Sequence, residues 1–201
     1  IINEIFADPS PIVGLPDKEF IEIHNRSTLN FDLSGWTISD GSTSATLSSE
    51  IFSAGNYLIL CAVADTALFS PFGNVMGLSS WPSLNNTGDN LSLKNNSSTL
   101  IDQVNYLDDW YQDGIKDDGG WTLELINPTI PCSGENNWIA SVNSAGGTPG
   151  VQNAVYNNSP DTQIPVLSSV AVVSQSQIQL LFNESMDSLS VTTAVFSLSN
   201  G

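Results

Sequence analysis

Positive charge is what this sequence has least of. Four Lys and Arg residues stand against 21 Asp and Glu in 201 residues, for a formal charge of −17 and a pI near 4.1. Neutralising a phosphate backbone requires clustered Lys and Arg, and so does adhering to an anionic bilayer, so nucleic acid and membrane surfaces are poor partners. Long hydrophobic runs are missing too. The longest, Tyr57 to Ala64, has the length of a strand and falls well short of the ~20 residues of a membrane helix. One histidine, His24, and two distant cysteines offer no CxxC or HxxxH spacing for zinc. No Gly-x-Ser-x-Gly elbow and no glycine-rich phosphate loop ending in Lys is present, which leaves a hydrolase or nucleotide-binding assignment without a motif.

Few charges do not mean disorder. Only 12% of residues are charged, while 17 Trp, Tyr and Phe are spread along the chain. Disordered chains lack that aromatic content. Ser, Asn and Thr total 62, so the polar surface is built from neutral, turn-forming residues, as in exported bacterial surface proteins. No basic, apolar leader precedes Ile1-Ile2-Asn3, and the last residues follow a strand-like run directly. The expectation is an exported chain whose signal peptide and downstream domains have been removed.

Helical periodicity is nearly absent, whereas short β-rich runs recur between Gly, Pro, Asn and Asp breaks. Strands are expected at Ile1 to Phe6, Glu19 to His24, Trp36 to Ser39, Tyr57 to Val63, Leu91 to Leu93, Leu100 to Tyr106 and Trp121 to Ile126. Asp65 to Phe69 reads as one short helix opened by an N-cap residue. The pattern predicts an all-β sandwich over 1–155, a polar linker over 156–165, and three more strands at Val166 to Val173, Gln177 to Phe182 and Ala194 to Leu198. The stretch 166–201 is too short for its own sandwich core, so it either docks on the first domain or begins a truncated second one.

The order of motifs carries a resemblance. Ile2-Asn3-Glu4-Ile5, Glu19-Phe20-Ile21-Glu22-Ile23-His24-Asn25 and Asp32-Leu33-Ser34-Gly35-Trp36 resemble the opening of the lamin tail domain family. Gly55-Asn56-Tyr57-Leu58, Leu84-Asn85-Asn86-Thr87-Gly88-Asp89 and Ile101-Asp102-Gln103-Val104-Asn105-Tyr106 follow in the family's order. Trp121-Thr122-Leu123-Glu124, Asn137-Trp138 and Thr148-Pro149-Gly150 with Asn153 resemble its close in the bacterial branch. Leu125 departs from a position where Arg is common, and the basic surface with which animal lamin tails meet DNA is missing. Residues 178–187 are similar to a stretch of bacterial Ig-like domains found in tandem on surface proteins. The resemblance implies an immunoglobulin-like β-sandwich of lamin-tail type, followed by a short C-terminal β segment. It also implies a non-catalytic accessory module for adhesion, spacing or protein positioning, with partners among cell-surface proteins, glycans or further domains of the same chain.

Four sets of residues stand out as candidate chemistry. Cys61 and Cys132 would be expected to pair in an oxidising compartment, closing a loop of about 70 residues worth roughly 4 kcal/mol; two buried thiols are the alternative. The segment Asp108-Asp109-Trp110-Tyr111-Gln112-Asp113-Gly114-Ile115-Lys116-Asp117-Asp118 supplies Asp108, Asp109, Asp113, Asp117 and Asp118 as candidate Ca²⁺ ligands. It is not an EF-hand, since Tyr111 replaces a ligand and Gly120 stands where Glu is needed. Trp81, Trp110 and Tyr111 sit in loop-like contexts and could stack on sugars, giving a Ca²⁺-assisted carbohydrate-binding alternative. Glu4 and Glu22 could meet on neighbouring strands as an acid and base pair, although a structural role is the expected one. Trp36 and Trp138 read as core.

Overall fold

The computed structural model describes residues 1–130, 134–159, 165–182, 191–192 and 195. A six-stranded sheet contains β1 (Ile2–Phe6), β2 (Phe20–His24), β7 (Tyr57–Ala62), β8 (Val75–Leu78), β11 (Leu123–Leu125) and β12 (Trp138–Ala140). Its spatial order is β12-β11-β1-β2-β7-β8. A four-stranded sheet contains β4 (Thr37–Ser39), β5 (Ser44–Thr46), β9 (Gly88–Lys94) and β10 (Leu100–Leu107), in the order β10-β9-β4-β5. The short strands β3 (Phe31–Asp32) and β6 (Ile51–Phe52) pair with each other. The two large sheets close on a shared core of Ile2, Ile5, Ile21, Ile23, Leu58 and Leu60 from the first and Ile38, Leu91, Leu93 and Val104 from the second. Each fully buried Ile or Leu there contributes about 1.5–3 kcal/mol. The fold is an all-β sandwich, as the strand pattern predicts.

A half-exposed sheet shows alternating burial, but β1 is buried at all five positions. The outer face of the six-stranded sheet is therefore covered as well. Part of the cover comes from the crossover between the parallel strands β7 and β8, which runs through the helix α1 (Thr66–Phe69). Phe69 packs there on Phe6, Phe20, Ile59 and Cys61, with the Phe20 and Phe69 rings 5.3 Å apart. Asp65 does occupy the N-cap position, but its side chain makes no capping bond, so burial of Phe69 holds this single turn.

The motif residues interlock. The Tyr106 hydroxyl donates to the Asn85 carbonyl at 2.8 Å, and Asp102 accepts from the Ile2 amide at 2.7 Å. Glu19 accepts from the Trp81 indole N–H at 2.7 Å and the Leu84 amide at 3.1 Å. The Asn137 side chain bonds both the amide and the carbonyl of Asn127 at 2.8 Å.

The last two strands, β13 (Leu167–Ser174) and β14 (Gln177–Phe182), pair only with each other. Register puts Val170 opposite Leu180, Val172 opposite Ile178 and Leu167 opposite Phe182. Directly opposed residues share a face, so this hairpin has one apolar face, and every residue of β13 is exposed. Of the strand expected at 194–198 only Val195 is described, and it is exposed. Residues 156–159 fall in the expected linker but are tied to the sandwich, through the Asn157 amide to Ile126 and the Asn127 side chain to Ser159.

Candidate functional site

Among the described residues no group of three or more Asp, Glu, His or Cys is arranged to hold a metal ion, and Asp108, Asp109, Asp113, Asp117 and Asp118, the expected Ca²⁺ ligands, are not gathered into one. The reason is local: Asp108 accepts from the Asp109 amide at 2.9 Å and Asp113 from the Ile115 amide at 3.0 Å. These two carboxylates bond amides within their own turns.

The loop aromatics are also corrected. A 3₁₀ turn over Asp108–Tyr111 turns its two aromatics inward, leaving Trp110 8% and Tyr111 4% exposed within the main core. Their faces are not available to stack on a sugar. Trp81 is half-buried against the same core, with its indole N–H bound to Glu19. Tyr111 is a buried phenol, raised above its ordinary value first by that burial and then by Asp8, Asp108 and Asp117. Lys116, inside the acidic segment, donates to the Ser141 carbonyl at 2.7 Å and lies 4.6 Å over the Trp121 ring.

Cys61 carries a free thiol, fully buried beside Phe20 and Phe69. Burial, and secondarily the charge of Asp65, pushes that thiol up to about 11. Its candidate partner, Cys132, lies outside the described residues. His24 stacks on Tyr57 at 4.3 Å. Burial first, then the positive charges of the terminal amine and Arg26, lowers it to about 4, so it is neutral near pH 7.

The structure's main concentration of chemistry is a row of three glutamates. Glu4 lies opposite Glu22 on β2 and opposite Glu124 on β11, so three adjacent strands carry carboxylates side by side on the outer face. All three are 0% exposed. Their cover is the segment 147–155, whose Thr148 amide donates to Glu4 Oε1 at 2.8 Å. Its Gly150 amide donates to Glu22 Oε2 at 2.5 Å and its Val155 amide to Glu124 Oε2 at 3.0 Å. The Thr148 hydroxyl reaches Glu124 Oε1 at 2.8 Å. Asn153 adds a clamp, donating to the carbonyls of Asn3 and Leu125 and accepting from the Asn3 side chain. The sequence reading paired Glu4 with Glu22 correctly as possible neighbours. It missed Glu124, which the same parity argument on Leu123-Glu124-Leu125 would have found had β11 been placed beside β1.

A hollow of about 480 Å³ opens elsewhere, lined by Arg26, Phe31, Asp32, Trp36, Asn95 and Asn96 among others. The Phe31 and Trp36 rings stand 5.9 Å apart. Trp36 was expected to be core; it packs on the core with one side and lines this hollow with the other.

No curated protein and no solved structure matches the chain. A model of the Lamin Tail Domain family does, over residues 1–108, the span holding the opening motifs, the Leu84–Asp89 turn and all of β10. With the sandwich and those interlocked motifs, this shows that the chain belongs to the lamin tail domain family.

Proposed function

We propose that the chain is a non-catalytic accessory module of an exported or cell-surface bacterial protein, which spaces and positions the domains joined to it. The observation that carries this reading is the fate of its acid and base candidates. Glu4 and Glu22 are 0% exposed and spend their oxygens on backbone amides and neighbouring side chains. A general acid or base must reach substrate within hydrogen-bond distance, and these reach only the protein. The family is one of non-catalytic Ig-like domains, which agrees. The apolar hairpin face supports attachment to further β structure, the expected second Ig-like unit. The excess of acidic residues favours protein or neutral glycan partners over nucleic acid.

The test is a domain exchange in the parent protein. Replacing 1–155 with an unrelated Ig-like domain of similar span should preserve the activity and display of the attached domains. Loss of both with a well-folded substitute would show that this surface recognises something itself. Turnover of a glycoside or ester by the purified chain, abolished by Glu22→Gln, would overturn the reading.

A second reading, glycan recognition, is favoured by the hollow alone. Two aromatic faces rimmed by Asn95, Asn96 and Asp32 suit a neutral sugar, which stacks on rings and bonds amides and carboxylates. Neutral tetrasaccharides should then quench Trp fluorescence in the native chain but not in Trp36→Ala, with Asn96→Ala weakening the response without loss of fold.

A further inference from the structure

We propose that residues 147–155 form a proton-dependent strap: the row of Glu4, Glu22 and Glu124 holds a proton on Glu4 while the strap is seated, and full ionisation of the row lifts the strap off the sheet. The geometry comes first. Opposed residues on antiparallel strands have side chains about 4.5–5.5 Å apart at Cβ, and these three are shut away from water. Five of the six carboxyl oxygens accept hydrogen bonds. Glu4 Oε1 takes the Thr122 hydroxyl at 2.7 Å and the Thr148 amide; Glu22 takes the Asn3 side chain at 2.9 Å and the Gly150 amide; Glu124 takes the Thr148 hydroxyl and the Val155 amide. All six donors are neutral. The sixth oxygen, Glu4 Oε2, is buried without a partner.

An ionised oxygen with neither water nor a donor is strongly unfavourable in such a place, whereas a carboxylic O–H there removes the charge. The missing ligand of Glu4 Oε2 is a proton. Glu4 is also the central member, flanked by both other carboxyls, and like charges at this spacing cannot all be carried. The titratable and charged groups around the row are the three glutamates themselves, Tyr57 on β7 beside Glu22, and Tyr156 just beyond the strap. No cation acts on Glu4 or Glu22 among the described residues. Burial, then the charges of Glu22 and Glu124, holds Glu4 well above the ordinary carboxylate range. Burial raises Glu22 to about 8 against the opposing bonds from Gly150 and Asn3. Glu4 and Glu22 are coupled, and Glu22 gives up its proton to solvent as the pH climbs through about 8. The strap is the element that can yield, since it has no ladder partner and supplies four of the six donors.

The experiment is amide hydrogen exchange on the whole 201-residue chain between pH 6 and 9.5, corrected for base catalysis. Protection at Thr148, Gly150 and Val155 should fall at least tenfold while the β2–β7 ladder keeps its own. Glu4→Gln retains an acceptor at Oε1 and cannot ionise, so it should hold strap protection nearly constant. Constant protection in the native chain, or an equal fall in Glu4→Gln, overturns the proposal. So does a ¹³C carboxyl titration of the unaltered chain in which every glutamate is ionised at pH 6; one still protonated there supports it even if the variant fails to fold.

Discussion

Asn153 places one carboxamide across two strands, with its nitrogen 2.8 Å from the carbonyls of Asn3 and Leu125 and its oxygen 2.7 Å from the Asn3 side chain. Asn153→Ala removes the side-chain donor that reaches both buried carbonyls, and should cost about 1–3 kcal/mol in urea unfolding. A change below about 0.5 kcal/mol, the range of ordinary surface substitutions, would show that the clamp is not stabilising. Gly150 answers a different need. Its φ is +86°, and a Cβ there would stand 2.0 Å from the Phe72 carbonyl oxygen. Gly150→Ala should lower the unfolding midpoint through strain of about 1–3 kcal/mol, with added loss from displaced backbone. A midpoint at the native value would mean the strap is not seated as described.

At the scale of elements, the glutamate row gives stability a pH dependence of defined sign. Glu22 rises from an ordinary 4.5 when unfolded to about 8 when folded. Between those values the folded chain binds more protons than the unfolded one, so unfolding free energy falls as pH rises. The contribution is complete below about 4.5, declines across the interval and is gone once pH passes about 8. Each proton so released is worth at most about 1.4 kcal/mol per pH unit. Urea unfolding at pH 5, 6.5 and 8 should therefore show decreasing stability. Glu22→Gln should flatten that slope and lower the starting value, because Asn3 and Gly150 donate to different oxygens and a carboxamide keeps only one of them as an acceptor. Stability rising from pH 5 to 8 would contradict a row protonated in the folded state. At this scale the strands were legible, since β1, β2, β7, β9 and β10 each join a β-rich run to a turn signal. The short β3, β5, β6, β8 and β12 were not, because two to four residues carry little periodicity unless a longer β-rich run or a motif surrounds them, as it does at β4 and β11.

For the whole molecule, the sandwich and the terminal hairpin should prove energetically separable. Every residue of β13 is exposed, and the hairpin's ladder is its own. Removing 166–201 should leave the thermal midpoint of the remainder within a degree or two by calorimetry. A fall of more than about 4 °C, the equivalent of roughly 1 kcal/mol for a domain of this size, would show that the hairpin docks on the sandwich. An isolated two-stranded hairpin is at best marginally stable in water, and its face of Leu167, Val170, Val172, Ile178, Leu180 and Phe182 is the apolar one.

The sequence alone determined the fold class, the order of the principal strands and the family. Each rests on local signals: β-rich runs, turn residues and motifs whose spacing survives without knowing what they touch. The same local reading misplaced Trp110 and Tyr111, because a single 3₁₀ turn has no period to reveal which way its side chains face. It offered five aspartates as one cation site, because composition cannot show that Asp108 and Asp113 bond amides within their own turns. Only the tertiary structure decided that Glu4, Glu22 and Glu124 stand in one row. Their adjacency depends on β11 pairing with β1 across more than a hundred residues, and their burial on a strap that has no strand signal of its own.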